Sequence, residues 1–378
     1  MKLAGMLIRR ERLRRSWSQG GLCKGICAVS YLSKIEQGKT GASPDVLRLL
    51  FARLELTWLG ADEAAEALIE RSYRTLFSGN EQAFPAAGEA LLAQRKALEC
   101  SEYALDVPLL SAFLNDEFEP AEPEMEPFMS VRQLALQRVL QQRFDDALRL
   151  YPAPYFQYLL GQKAYCDGQP LPAIEALRRA HDTAAEQGFA YIMLNSRMMM
   201  GNCYSNLLDR QHMLAHYAVA EQLADALRDT FALKSIRYNI AATNLECGHV
   251  REAYAYFSGL PSPSVMDLHK LAICCEKLGR PQEALAALEA AKEAPDTLSL
   301  PDLAKKMCGL VRYRLTQPDY LHAQAYGSEL LSCFAEIREK LPYGYASFHL
   351  PWVLEWYRAN RQYKEAFSLL QDFPQQTE

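Results

Sequence analysis

Pairs of small residues twelve positions apart constrain the fold of this chain more tightly than any other feature. They occur at Ala135/Ala147, Gly161/Ala173, Ala241/Ala253 and Ala272/Ala284, and Gly201/Met213 and Leu354/Ala366 keep the spacing with one member substituted. Four residues past each second member stands a bulky apolar residue: Tyr151, Leu177, Phe257, Leu288, Tyr217 and Leu370. Three further on, Ala180, Ala220 and Ala291 are small again. Two antiparallel helices in close contact account for such a pattern. The small residues let the backbones approach, and the bulky one fills the gap against the following pair.

Apolar residues recur at helical spacing nearly everywhere, and no alternating β-branched run bounded by turn signals demands a strand. The predicted fold class is all-α. Gly/Pro/Asn punctuation, for example at Gly79-Asn80, Asp167-Gly168, Gly248-His249 and Gly279-Arg280-Pro281, cuts the chain into helices of roughly 10 to 18 residues. The small–bulky–small signature resembles the tetratricopeptide repeat over roughly residues 60 to 378. That resemblance implies a right-handed superhelix of helix pairs, with elongated helices where the repeat intervals of 26, 40, 40 and 31 residues lengthen.

The formal net charge of −5 hides a division. Residues 1–60 hold eleven Lys/Arg against four Asp/Glu, a net +7 that leaves −12 for the remainder. A basic head of this kind suits phosphates, while the acidic body stays off them. With 49% apolar and 23% charged residues, the composition excludes a large disordered fraction. Met6-Leu7-Ile8 is followed at once by Arg9-Arg10, so no signal peptide is predicted, and no apolar run reaches membrane-span length. A cytoplasmic protein with no membrane partner is expected. The ten cysteines include no CxxC and read as reduced, mostly buried apolar residues.

The head reads as four or five short helices. Leu7 to Arg15 presents Leu7, Ile8 and Leu13 as an apolar face, and Ser18 caps a second helix. Ser30 to Gln37 forms a third, and Ser43-Pro44-Asp45 opens a fourth with a cap followed by Pro in the first turn. The string Ser18-Gln19, then Ser30 to Lys39, then Ser43-Pro44 with Leu47, Leu50 and Leu54, resembles the helix-turn-helix of the lambda-repressor (XRE) family over about 50 residues. The resemblance implies a third helix lying in the major groove of double-stranded operator DNA. It assigns Gln19 to a backbone contact, Val29, Ser30, Ser33 and Lys34 to base-facing positions, and Lys39 and Thr40 to a loop near phosphate. It also implies an Arg12–Glu36 ion pair tying the first helix to the third. Tyr31 is a candidate for either packing or a base contact, and Ser30 for either an N-cap or DNA. Gly20-Gly21 replaces the acids usual after Ser-Gln, which costs the second helix about 1–2 kcal/mol.

A turn shortened by one residue before the third helix, joined directly to a tetratricopeptide array, is similar to the RRNPP regulators, the PlcR and NprR type in particular. The resemblance implies a helix-turn-helix domain over 1–65, a peptide-binding and dimerising repeat domain over 66–378, a short signalling peptide as ligand and a homodimer. Peptide binding is then expected to change superhelix curvature and so the spacing of the two heads.

The repeat register itself identifies groove residues. Positions one, four and five after the small residue, and three and six before it, point to the inner face. For Gly161 these are Gln162, Tyr165, Cys166, Tyr158 and Tyr155; for Gly201 they are Asn202, Ser205, Asn206, Met198 and Asn195; for Ala241 they include Tyr238 and Glu246. Asn side chains carry both groups needed to hold an extended peptide backbone, and Tyr adds contact area, so Tyr158, Gln162, Tyr165, Asn195, Asn202, Asn206 and Tyr238 form the candidate peptide site. The competing readings are a solvated helix face and a surface for a protein partner.

No nucleotide-binding or acyl-transfer motif is present, so neither an enzyme nor a cofactor is predicted. His212 and His216, four apart, lack a third metal ligand and read as a surface pair. The Pro-interleaved stretch Glu117, Glu119, Glu122, Glu124 and Glu126 reads as a solvated loop. The predicted function is a DNA-binding transcription regulator that senses a short peptide of quorum-sensing type. The alternative is a repeat scaffold for protein partners with a vestigial head.

Overall fold

The computed structural model describes residues 2–115, 123–296 and 298–373. Among them no strand forms, and the single bridge joins Leu59 to Ser101. No helix among the described residues is long and apolar enough to cross a membrane. The chain divides into two compact units, Met1–Gln157 and Tyr158–Glu378, with the boundary inside one helix.

The first unit holds α1 (Lys2–Arg14), α2 (Gln19–Cys23), α3 (Val29–Glu36), α4 (Pro44–Arg53), α5 (Glu63–Ser78), α6 (Phe84–Leu98), α7 (Asp106–Leu114), α8 (Val131–Leu140), α9 (Phe144–Leu150) and the start of α10 (Pro154–Cys166). Ser18 and Ser43 cap α2 and α4, accepting from the backbone N–H of Gly21 and Val46. α1 begins earlier than its apolar pattern predicts and buries Ala4, Leu7 and Ile8, whereas Leu13 is 54% exposed. α3 begins at Val29, with Ala28 in the cap position, so Ser30 is not its N-cap. α1 and α3 touch through Gly5, where a Cβ would strike the Ile35 carbonyl. The Arg12 guanidinium donates through Nε (2.6 Å) and Nη2 (2.8 Å) to the buried Glu36 carboxylate, tying the same two helices together.

The core of these four helices also takes Leu105 and Met125, and Trp58 stacks on Phe51 at 5.0 Å. The unit therefore continues past residue 65 without a break in packing. Its second half is pinned by Tyr73, which donates to Asp106 at 2.5 Å beneath the Arg132 guanidinium. The acidic stretch is only in part a solvated loop. Pro123–Phe128 is a 3-10 turn that buries Met125, and Glu126 accepts from Arg138 at 2.7 Å because Met125 supplies the apolar anchor that holds it there. Glu117, Glu119 and Glu122 lie outside the described residues, as does the side chain of Glu124.

The second unit continues α10 and adds α11 (Pro170–Gln187), α12 (Ala190–Asn206), α13 (Arg210–Leu227), α14 (Thr230–Glu246), α15 (Val250–Ser258), α16 (Val265–Lys277), α17 (Pro281–Ala290), α18 (Pro301–Thr316), α19 (Gln324–Lys340), α20 (Tyr343–Ala359) and α21 (Tyr363–Asp372). α11 to α14 are 17 or 18 residues long, where the repeat interval is 40. The close approach read from the small residues is literal. A Cβ on Gly161 would lie 2.6 Å from Leu177 Cγ, and one on Gly201 2.6 Å from Tyr217 Cδ1. Leu177, Tyr217, Phe257 and Leu288 are all at most 2% exposed. The pattern fails at its two ends: Tyr151 is 36% exposed, and Leu370 is 44% exposed because no later pair among the described residues covers α21.

Candidate functional site

The second unit contains a cleft of about 310 Å³. Four helices of the array supply its floor: Gln162, Tyr165 and Cys166 from α10, Met199, Asn202, Ser205 and Asn206 from α12, Tyr217 from α13, and Tyr238, Asn239, Thr243 and Glu246 from α14. Lys270 comes from α16, and the start of α20 closes the far side with Gly344, Tyr345 and Phe348. Gly344 permits that closure, since a Cβ there would lie 3.3 Å from Asn206 Oδ1 and 3.4 Å from the Tyr165 hydroxyl.

Asn202 is the hub. Its Oδ1 accepts from the Tyr217 hydroxyl at 2.6 Å and from Asn239 Nδ2 at 2.9 Å, while its Nδ2 has only Met199 Sδ, at 4.0 Å. Gly201, one residue earlier, is what lets the Tyr217 ring come close enough for this bond. The amide is thus fixed in one orientation with its donor face left for a visitor. Asn206 hydrogen-bonds Tyr165, and Ser205 pairs with Thr243. Burial pushes the Tyr165, Tyr217 and Tyr238 phenols up, so all three stay neutral donors.

Of the seven candidate peptide-site residues, Gln162, Tyr165, Asn202, Asn206 and Tyr238 line this one cleft, and the register positions Cys166, Ser205 and Glu246 line it with them. Tyr158 and Asn195 do not: Tyr158 is 4% exposed and packed away, and Asn195 sits half-buried two turns before Asn202 on α12. Sequence reasoning missed Asn239, Thr243, Lys270 and the α20 residues. Met199, Asn239 and Lys270 share a signal, each standing two positions before its small residue, Gly201, Ala241 and Ala272. The α20 contribution has no such signal, since it arrives from about 140 residues along the chain.

In the first unit, the surface of α3 exposes Val29, Ser30 and Lys34, with Ser33 half-buried, and Lys39 and Thr40 follow in the turn before α4. Four of the DNA candidates are engaged internally: Ser33 Oγ accepts from Gln37 Nε2 at 3.2 Å, the Thr40 hydroxyl donates to the Gly41 carbonyl at 3.4 Å, and Gln19 and Tyr31 each have a partner. Gln19 Nε2 donates to Glu36 Oε2 at 2.8 Å, joining the Arg12 pair, and the Tyr31 hydroxyl donates to the Gly41 carbonyl at 3.2 Å. Tyr31 therefore braces the loop that carries Lys39 and Thr40. Leu22 and Cys23 bury α2 against this frame in spite of Gly20-Gly21.

His212 and His216 both stack on Tyr204, at 5.0 and 5.2 Å. Burial, with Arg197 and Arg178 nearby, pushes the His216 imidazole down to about 4. No cluster able to hold a metal ion occurs among the described residues.

Against solved structures, the helical architecture aligns with a Rap protein complexed with competence and sporulation factor, at a TM-score of 0.52 and 14% identity over 82% of this chain and 96% of that one. The chain resembles a Rap protein in fold. It also aligns with Bacillus thuringiensis PlcR in complex with the peptide PapR7 and DNA, at a TM-score of 0.31 and 13% identity, over 76% of this chain and 99% of that one. No protein-family model matches the sequence, and no curated protein does. The Rap likeness gives the fold of the helical array and agrees with the tetratricopeptide reading of its small-residue register.

Proposed function

We propose that the chain is a cytoplasmic transcription regulator whose helical array binds a short signalling peptide and whose N-terminal helix-turn-helix, residues 1–65, binds operator DNA as a homodimer. The observation that carries the peptide half is the Asn202 hub: a half-buried asparagine with its oxygen doubly engaged and its amide N–H₂ left for a ligand in a cleft rimmed by tyrosines and amides. Such a surface suits main-chain carbonyls, which every peptide offers regardless of sequence. The Rap protein of the structural comparison holds a peptide factor, which supports the same ligand class here.

The DNA half rests on the +7 charge of residues 1–60 and on the exposed Val29, Ser30 and Lys34 at one end of α3, beside Lys39. A two-fold pair of heads doubles the few contacts a single helix-turn-helix makes. Peptide shifts DNA affinity only by differing in its own affinity for two states of the protein.

A salt-titrated mobility shift with the full chain and the DNA upstream of its own coding sequence tests this reading. Specific binding at low salt that changes on adding a peptide pool is expected. Absence of any shift at low salt, with and without peptide, would refute the DNA half and favour the scaffold reading, to which the five-residue α2 with Gly20-Gly21 lends weight.

A further inference from the structure

The cleft is lined by a buried lysine that no carboxylate touches. Lys270 is 3% exposed yet lines the cavity, and its Nζ lies 2.7 Å from the centroid of the Phe348 ring. Among the described residues it forms no ion pair and no hydrogen bond. Buried ammonium groups ordinarily find a counter-charge, because an aromatic face replaces only part of the hydration lost.

No surrounding carboxylate touches it. Asp267, one turn earlier on α16, is consumed by its own helix start, accepting from the Ser264 N–H at 2.8 Å and the Ser264 hydroxyl at 2.7 Å. His269 and His349 are neutral through burial. Glu246 lines the same cavity from α14 and interacts with Lys270 across it, without direct contact, and burial holds its carboxyl above the usual range. A second donor is idle in the same cavity wall: the buried Tyr238 hydroxyl has no hydrogen-bond partner. Burial lowers the Lys270 amine to about 7 against the opposing pull of Glu246, so near neutral pH it is protonated in part of the molecules, and it shares with Tyr238 the wall of a cleft of about 310 Å³.

We propose that Lys270 and Tyr238 form a carboxylate seat that selects the peptide ligand, receiving either its C-terminal carboxylate or an Asp or Glu side chain. The inference rests on the peptide reading of the cleft and adds a ligand class to it. A carboxylate oxygen accepts from the Lys270 ammonium and another from the Tyr238 hydroxyl. Both bonds form away from water, where charge-assisted contacts are strongest. Glu246 takes the opposite part: ionised, it repels the incoming anion, so its neutral form favours binding.

The test is affinity selection by the purified full chain from random heptapeptide pools, made with a free C-terminus and with a C-terminal amide, and read by mass spectrometry. If the seat receives the terminus, the free-acid pool is retained about tenfold better than the amide pool. If it receives a side chain, Asp or Glu is enriched at one fixed position in both pools. Lys270→Met, which keeps the length of the side chain and removes a buried charge, is expected to fold and to abolish the preference to within about twofold while still retaining peptide through the Asn202 hub. Glu246→Gln is expected to raise retention of acidic ligands. Retention of peptides with no acid preference overturns the seat and leaves the peptide site standing. An unchanged preference in Lys270→Met also overturns it. Retention of no peptide by the native chain overturns both.

Discussion

Gly201→Ala is the substitution that most directly probes how the array positions its cleft. The added Cβ would fall 2.6 Å from Cδ1 and 2.8 Å from Cζ of Tyr217, a ring with no exposed surface, against an ordinary contact of 3.4 Å or more. The ring has to shift by nearly an ångström, and overpacking of this kind costs about 1–3 kcal/mol. The shift also strains the 2.6 Å bond from the Tyr217 hydroxyl to Asn202, worth about 1 kcal/mol. Alanine in place of glycine within a helix returns about 1 kcal/mol. The balance is a loss of about 1–3 kcal/mol, or a fall in melting temperature of about 3–9 °C for a unit of this size. Gly309→Ala is the control, because there the nearest atom to the new Cβ is Glu329 Oε1 at 3.8 Å, and only the helix gain of about 1 kcal/mol remains. Thermal unfolding followed by circular dichroism at 222 nm reads both. If Gly201→Ala melts at or above the native protein, as Gly309→Ala should, the small residues do not set the helix approach and the register argument fails.

Removing Arg12 takes the ion-pair partner from the carboxylate of Glu36, which is 3% exposed, so Arg12→Ala is expected to cost the α1–α4 core about 3–5 kcal/mol, read by urea denaturation. Lys34→Ala and Lys39→Ala, on exposed positions, should leave stability within ~0.5 kcal/mol and reduce the slope of log affinity against log salt for DNA by about 0.9 each. Burial, with Lys270 alongside, pushes the His349 imidazole from 6.5 to about 3. Below pH 6.5 the unfolded chain takes up a proton that the fold refuses, so His349 stabilises fully above 6.5 and that stability is lost as pH falls toward 3, at ~1.4 kcal/mol per unit. Chemical denaturation of His349→Phe between pH 6.5 and 4 should show an acid slope smaller by about one proton.

Much of the architecture is legible in the sequence because close packing leaves a local trace. Gly161, Gly201, Ala241 and Ala272 mark where helices touch, and Leu177, Tyr217, Phe257 and Leu288 mark what fills the gap. Five of the seven candidate groove residues line the cleft, selected from that register alone. Tyr158, three residues before Gly161, and Asn195, six before Gly201, follow from the same rule but do not line the cleft. The α20 wall and the Phe348 ring over Lys270 are not legible, since they depend on how the later helices fold back, a long-range packing outcome with no periodic trace. In the head, the Arg12–Glu36 pair follows from the XRE resemblance, whereas Gln19 and Tyr31 acquire partners, Glu36 and Gly41, that only three-dimensional proximity reveals.

The central claim is that the cleft between α10, α12, α14 and α20 receives a peptide. Photo-crosslinking tests it most directly: heptapeptides retained by the full chain are remade with a benzophenone side chain, irradiated in complex, and the labelled positions mapped by tandem mass spectrometry. The account predicts labels concentrated on Gln162, Met199, Asn239, Tyr345 and Phe348, and their loss in Asn202→Ala/Asn206→Ala. Labels elsewhere in the chain, unaffected by that double substitution, would contradict it.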